Sequence, residues 1–303
     1  LKPFSATSRP RSATQRLATT RPPRRGVRFP RMSGAAARPP GFGVRSADAT
    51  WPLPTIAFLG GTGRMGVHLC AAWANAGYDV TMCSRAKDKA QVIVDSLLSG
   101  GGFQQKASSG SVGEICVPPC PAEGWKLRAG ANEDAAAADM IVLGTRFDAA
   151  WPLLEAIAPQ IRGQGKLILD ITNPHLAWTM GGSGGEKGAA LLPKGGPQSG
   201  IEVHKARLDD PSARWAAAYK TVYWSLILPT GPKNPGRPGV EVFGDEAALP
   251  AVCELVAMHG WQPVVRGGCD VARDFEGGTM SFCRFLGNMK REIAQGEKLS
   301  VGW

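Results

Sequence analysis

The chain has 303 residues and a formal net charge of +10 at pH 7, long enough for a large core shared between two lobes. The charge is localised: ten Arg and one Lys precede Asp48 with no acid among them, and the rest of the chain lies within one charge of neutral. A basic tail beside a neutral body argues against a nucleic-acid partner, and no apolar run reaches the roughly eighteen residues of a membrane-spanning helix.

Residues 1–50 are rich in Arg, Ser, Thr and Pro. They cannot bury a core and are expected to form a disordered tail. The composition is that of an organellar transit peptide, with the prolines and hydroxyls favouring the plastid stroma. A mitochondrial or cytoplasmic location is the alternative, and so is a plain tail. The sequence opens on Leu1, so Met32 is a second candidate start.

The body is organised around Thr55–Arg85, TIAFLGGTGRMGVHLCAAWANAGYDVTMCSR. Ile56–Leu59 is a short apolar run suited to a buried parallel strand. Gly61, Thr62, Gly63, Arg64, Met65 and Gly66 follow with G-x-G-x-x-G spacing. In that motif Gly61 permits a tight turn, Gly63 lets the backbone approach a pyrophosphate, and Gly66 lets helix and strand pack closely. The helix opening here offers free N–H groups and a positive dipole end to an anion. Met65, Leu69, Trp73 and Ala76 repeat at helical spacing and predict one buried face. Gly77 is placed to stop the helix, and Asp79–Cys83 predicts a second strand.

The end of that strand points to one dinucleotide. An NAD site usually carries an acid there to hold the ribose 2′-hydroxyl. This chain has Ser84, Arg85 and Lys87 instead. One hydroxyl and two cations suit a 2′-phosphate, so NADP(H) is the expected cofactor. The alternative is that Arg85 and Lys87 merely decorate a solvated helix turn.

Further along, a helix is predicted to about Leu98 and a glycine- and proline-rich surface loop over Ser99–Lys126. Asn132 is placed to cap a short helix begun by Glu133 and Asp134. Met140–Leu143 predicts a buried strand, Ala149–Ile161 a helix with Pro152 in its first turn, and Lys166–Ile171 another strand. This alternation predicts an α/β fold, a Rossmann-type doubly wound parallel sheet with a smaller C-terminal α/β lobe. The expected division is a tail (1–50), an NADP-binding domain (51–175), and a glycine-rich lid with a substrate lobe (176–303). In that lobe, strands are predicted over Ala217–Ile227, Val240–Phe243 and Gln262–Val265, and a helix over Glu246–His259. The terminal helix, Thr279–Gln295, has an apolar stripe suited to core or to a homodimer interface. The seven cysteines are scattered. Cys116 and Cys120 lack the partners of a zinc site, and no His/Asp/Glu constellation suggests a metal.

The chain resembles the NADP oxidoreductases dependent on the deazaflavin coenzyme F420, a group whose N-terminal domain is shared with pyrroline-carboxylate reductases. The resemblance is carried by LGGTG at Leu59–Gly63, Ser84-Arg85, the stretch Asn132–Ala150, DITNP at Asp170–Pro174 and VFGDE at Val242–Glu246. A terminal pattern with Gly267, Ala272-Arg273 and Glu276 also matches. It implies NADPH on the first lobe and hydride exchange with a small-molecule acceptor at the cleft, either a second ring such as a deazaflavin or a flavin, or a carbonyl-like group. By position, Thr62, Gly63, Arg64 and Met65 would line the pyrophosphate, and Ser84 and Arg85 would hold the 2′-phosphate. Thr145, Arg146 and Phe147 would border the adenine-ribose and nicotinamide side, with Asn173 and Pro174 beside the nicotinamide. Where the family commonly reads A-F-N-T, this chain reads Ala218-Tyr219-Lys220-Thr221.

Hydride transfer between two rings needs alignment more than an acid. Reduction of a carbonyl or imine needs a proton donor. Lys220, His175 and Tyr223 are the candidates, Lys220 through a pKa lowered by burial or as an attractor of an anionic substrate. The alternatives are a pyrroline or imine reductase and a non-catalytic NADPH-binding redox sensor.

Overall fold

The computed structural model describes residues 53–100, 103–105, 115–117, 124–174, 196, 199–222 and 239–276. The basic tail, His175, Tyr223, Cys120, most of the glycine-rich stretch and the terminal helix lie outside the described residues.

Strand β1 (Ile56–Leu59) is buried throughout. It pairs in parallel with β2 (Val80–Ser84) and with β6 (Met140–Leu143). β5 (Leu127–Ala131) extends the sheet beyond β2, while β7 (Leu167–Asp170) and β8 (Arg214–Ala217) extend it beyond β6, all in parallel. The order β5-β2-β1-β6-β7-β8 is that of a doubly wound dinucleotide-binding sheet. The C-terminal elements add to the same edge. β9 (Gly239–Gly244) pairs antiparallel to β8, and β10 (Gln262–Gly267) parallel to β9. Between β2 and β5, a short antiparallel pair, β3 (Phe103–Gln105) and β4 (Ile115–Val117), lies where the sequence predicts only a loop.

Alternation along β1 sends Ile56 and Phe58 to one face and Ala57 and Leu59 to the other. Helices α1 (Arg64–Asn75), α2 (Lys87–Leu98) and α5 (Leu249–Met258) cover the first face. Helices α3 (Phe147–Ile161) and α4 (Gly200–Leu208) cover the second. The doubly wound architecture is therefore present. α1 is buried almost all round, Gly66 to Ala74 without a break, so its core face is wider than a single stripe. Trp73 anchors it, packing against Phe58 and Tyr219.

Several local expectations are corrected. α3 begins at Phe147, so Pro152 falls in its second turn rather than its first. Asn132 has helical backbone angles and no side-chain cap bond; Asp134 instead accepts from the Ala131 N–H at 2.9 Å. Of the strand expected over Ala217–Ile227, residues 223–227 lie outside the described residues; the described strand is Arg214–Ala217, and residues 218–222 do not continue it. Tyr219 ends the extended run by adopting φ +57, a region that costs a non-glycine residue about 1 kcal/mol or more. Burial of its ring and a 3.1 Å contact from its hydroxyl to His259 Nδ1 hold it there. No helix among the described residues is long and apolar enough to cross a membrane.

Candidate functional site

The paired registers bring the C-terminal ends of β1, β2 and β6 level, with Leu59 opposite both Cys83 and Leu143. The chain leaves β1 and β6 in opposite directions across the sheet, the position where doubly wound folds bind ligands. After β1 the left-handed residue is Gly60, with φ +84, rather than Gly61. The N–H of Gly61 turns back toward Phe58 and Cys83 carbonyls, at 3.1 and 3.0 Å. A Cβ on Gly66 would lie 2.6 Å from the Gly61 oxygen and 2.7 Å from that of Gly60. Gly66 thus sets how closely α1 approaches the turn. No side chain caps α1 at Gly63, and its first turn holds no acid. This start of α1 suits an anion.

At the end of β2, Ser84 is buried and its Oγ accepts from the Ala86 N–H at 3.3 Å. Arg85 and Lys87 are exposed. Arg85 has no carboxylate partner among the described residues, whereas Lys87 Nζ lies 3.7 Å from Asp134 Oδ2. Across the switch point, a Cβ on Gly60 would meet Thr145 Cγ2 at 2.5 Å, so the loops after β1 and β6 touch. Arg146 is exposed, and its guanidinium is taken up by Asp148 in the first turn of α3. That pair raises its pKa, first through the hydrogen bond and then through the charge. Phe147 points inward, stacked on His204 with centroids 4.8 Å apart. Phe147 and Pro174 both flank Gly200, where a Cβ would sit 3.0 and 3.1 Å from them. Asn173 Nδ2 donates to the Lys220 carbonyl at 2.9 Å, and its buried Oδ1 has no partner.

Below these residues lies a cluster absent from the sequence reading. Asp170 ends β7 with both carboxylate oxygens engaged. His204 Nδ1 on α4 donates to Oδ2 at 2.8 Å, and Lys220 Nζ lies 3.3 Å from Oδ1. Lys220 also reaches Glu276 Oε1 at 2.8 Å and the Thr172 carbonyl. Glu276 Oε2 in turn accepts from the Gly200 N–H at 2.6 Å. The side chains of Asp170, His204, Lys220 and Glu276 have no exposed surface. Burial pushes Asp170 up, but Lys220 and His204, with hydrogen bonds from His204 and Thr172, hold it well below the ordinary carboxylate range.

Lys220 is corrected by the same geometry. Burial alone would lower its pKa, but Asp170 and Glu276 together outweigh burial and raise it. Its ammonium has three acceptors for three protons. The group is a buried cation, neither a surface lysine nor an ammonium whose pKa burial has lowered so that it gives up its proton readily. The sequence carried a partial signal for the cluster: Ile201, His204 and Leu208 repeat at helical spacing, which places His204 on the apolar stripe of α4.

Residues 55–174 match the family described as NADP oxidoreductase coenzyme F420-dependent. The chain carries a domain of that family. A comparison with curated proteins finds no match. Among solved structures, the chain is similar to a protein of Arthrobacter sp. assigned as an F420-dependent NADP reductase, at 25% identity and a TM-score of 0.53. The match covers 80% of this chain and 95% of that one. A protein of Sinorhizobium meliloti, 18% identical with a TM-score of 0.50, covers 74% of this chain and 90% of its own and shares the fold. The pyrroline carboxylate reductase of Plasmodium falciparum, solved with NADP, is 12% identical with a TM-score of 0.42, over 81% and 79% of the two chains. The matched stretch holds β1, β2 and β6, the strands that meet at the switch point. Its family is one of NADP-dependent oxidoreductases.

Proposed function

We propose that the protein transfers a hydride between NADP(H) and a small-molecule acceptor, with a deazaflavin such as coenzyme F420 or a flavin as the leading acceptor class. The observation that carries this reading is the edge formed by the uncapped start of α1 and the Ser84-Arg85 pair, with no acid at the end of β2. The donor set fits a phosphorylated dinucleotide. First-turn N–H groups of α1 would hold the pyrophosphate, and Arg85 and Ser84 would hold the 2′-phosphate. Thr145, Arg146, Asn173 and Pro174 border the opposite side, and the unpartnered Asn173 Oδ1 can accept from an amide such as that of nicotinamide.

Bound NADPH supplies the hydride, and the chain supplies alignment and exclusion of water. Lys220 does not act as the proton donor, because its ammonium is sealed beneath the cleft. That favours a ring acceptor, whose proton can come from solvent, over an imine that requires a protein acid. An imine or pyrroline reductase would draw its donor from His175 or Tyr223. A silent NADPH sensor would share the binding half alone.

The test uses the full 303-residue chain. NADPH and NADH are titrated by calorimetry. Oxidised deazaflavin, FMN and a cyclic imine are then added in turn, and the reduced-nicotinamide absorbance is followed. The expected result is preferential NADPH binding and oxidation with deazaflavin or FMN. Oxidation by the imine alone would replace the ring acceptor. Binding without turnover would favour a sensor, and failure to bind NADPH would overturn the proposal.

A further inference from the structure

Resting on the NADP(H) reading, we propose that Asp134 tunes the cofactor preference: it engages Lys87, leaving Arg85 as the principal cation for the 2′-phosphate, and Lys87 becomes a full phosphate ligand only when Asp134 is neutralised.

The placement follows from strand register. Ser84 at the end of β2 lies opposite Ala131 at the end of β5. Three residues after Ala131, Asp134 folds back and accepts from the Ala131 N–H at 2.9 Å. The carboxylate is thereby fixed beside the end of β2 rather than free to swing away. The bare face of Gly130 makes room for it, since a Cβ there would lie 3.2 Å from Asp134 Oδ2. The same oxygen is 3.7 Å from Lys87 Nζ, and both side chains are about half exposed. Its charge reaches the neighbouring strand. Burial, and after it Asp134, push the Cys83 thiol up to about 12.

The end of β2 lacks the acid of an NAD site, yet the adjoining strand delivers one to the same edge. A 2′-phosphate at Arg85 brings negative charge toward that acid. NADH brings a neutral ribose hydroxyl, which a carboxylate can accept from. Asp134 therefore narrows the gap between the two cofactors, and Arg85 keeps its sign in favour of NADPH.

A double-mutant cycle tests this with NADPH and NADH as probes. The full-length wild type, Asp134→Asn, Lys87→Ala and the double variant are each titrated by calorimetry. Asparagine keeps an oxygen for the Ala131 N–H, and far-UV circular dichroism checks each fold. Asp134→Asn is expected to tighten NADPH about three- to tenfold and to leave NADH unchanged or weaker by less than about twofold. Lys87→Ala is expected to weaken NADPH by less than about twofold in the wild type and by about fivefold or more in the Asp134→Asn background, a non-additive pair. Unchanged NADPH affinity in Asp134→Asn, or an equal cost of Lys87→Ala in both backgrounds, overturns the role of Asp134 while leaving NADP(H) binding intact. A wild type that binds NADH but not NADPH overturns the cofactor reading, and this proposal with it.

Discussion

Two clusters of acids and bases sit toward the C-terminal edge of the same sheet. One, Arg85, Lys87 and Asp134, is exposed or half exposed at the ends of β2 and β5. The other, Asp170, His204, Lys220 and Glu276, is sealed at the ends of β7 and β8. The residue types are alike and the consequences differ. In water the Lys87–Asp134 pair contributes little to stability, and its charges stay close enough to the surface to act on a ligand. In the interior each charge depends on its neighbours, and loss of one leaves the rest uncompensated. The exposed cluster can select a ligand. The buried one fixes the backbone around Thr172 and Asn173, on which the proposed nicotinamide side stands.

The sharpest way to break this comparison is Lys220→Met. It leaves Asp170 and Glu276 buried without their cation, and the expected loss is about 3–5 kcal/mol in urea unfolding. Adding Glu276→Gln should restore part of it. A loss below about 1 kcal/mol would place the two clusters in the same class.

His68 on α1 tests burial with a single base. Burial lowers its pKa to about 4. Between pH 6.5 and that value the unfolded chain binds a proton that the folded chain refuses, so stability falls as pH drops through this window. The expected loss is about 3 kcal/mol at most, read from urea midpoints, and His68→Leu should flatten it. Asp170 and Lys220 should not contribute there. The lowered pKa of Asp170 keeps its stabilisation present above the ordinary carboxylate range, to be lost only in stronger acid. The raised pKa of Lys220 keeps its stabilisation intact until strongly alkaline pH.

At the exposed cluster, Arg85→Ala should weaken NADPH by about 1.5–3 kcal/mol, a tenfold to hundredfold change, and leave NADH nearly unchanged. Equal loss for both would remove the 2′-phosphate from Arg85. Gly66→Ala forces a methyl against the Gly60 and Gly61 carbonyls and should cost about 1–3 kcal/mol of stability, with weaker binding of both dinucleotides. The smallest effect belongs to Lys87→Ala, whose stability should change by less than about 0.5 kcal/mol.

The exposed cluster was legible because its residues adjoin in sequence. Strand, glycine turn, helix and strand follow within one stretch, and Ser84-Arg85 stands directly at the strand end. Its modifier, Asp134, was read only as a helix-start acid, since β5 was missed: Leu127–Ala131 is short and half exposed at a sheet edge and lacks a continuous apolar run. The same weakness hid α4, which the glycine-rich composition before it masked.

Local pattern by itself determined the doubly wound class, the position of the glycine turn and the absence of an acid at the end of β2. All three rest on period, on glycine chemistry and on neighbours in the chain. Only the tertiary structure decided the state of Lys220. Asp170, His204 and Glu276 lie 50, 16 and 56 residues away from it, and no local signal states that they meet. Sequence leaves Lys220 as a proton donor if burial lowers its pKa, an attractor of an anionic substrate or a surface lysine; the fold places two carboxylates and a carbonyl around it in the dry interior and raises its pKa.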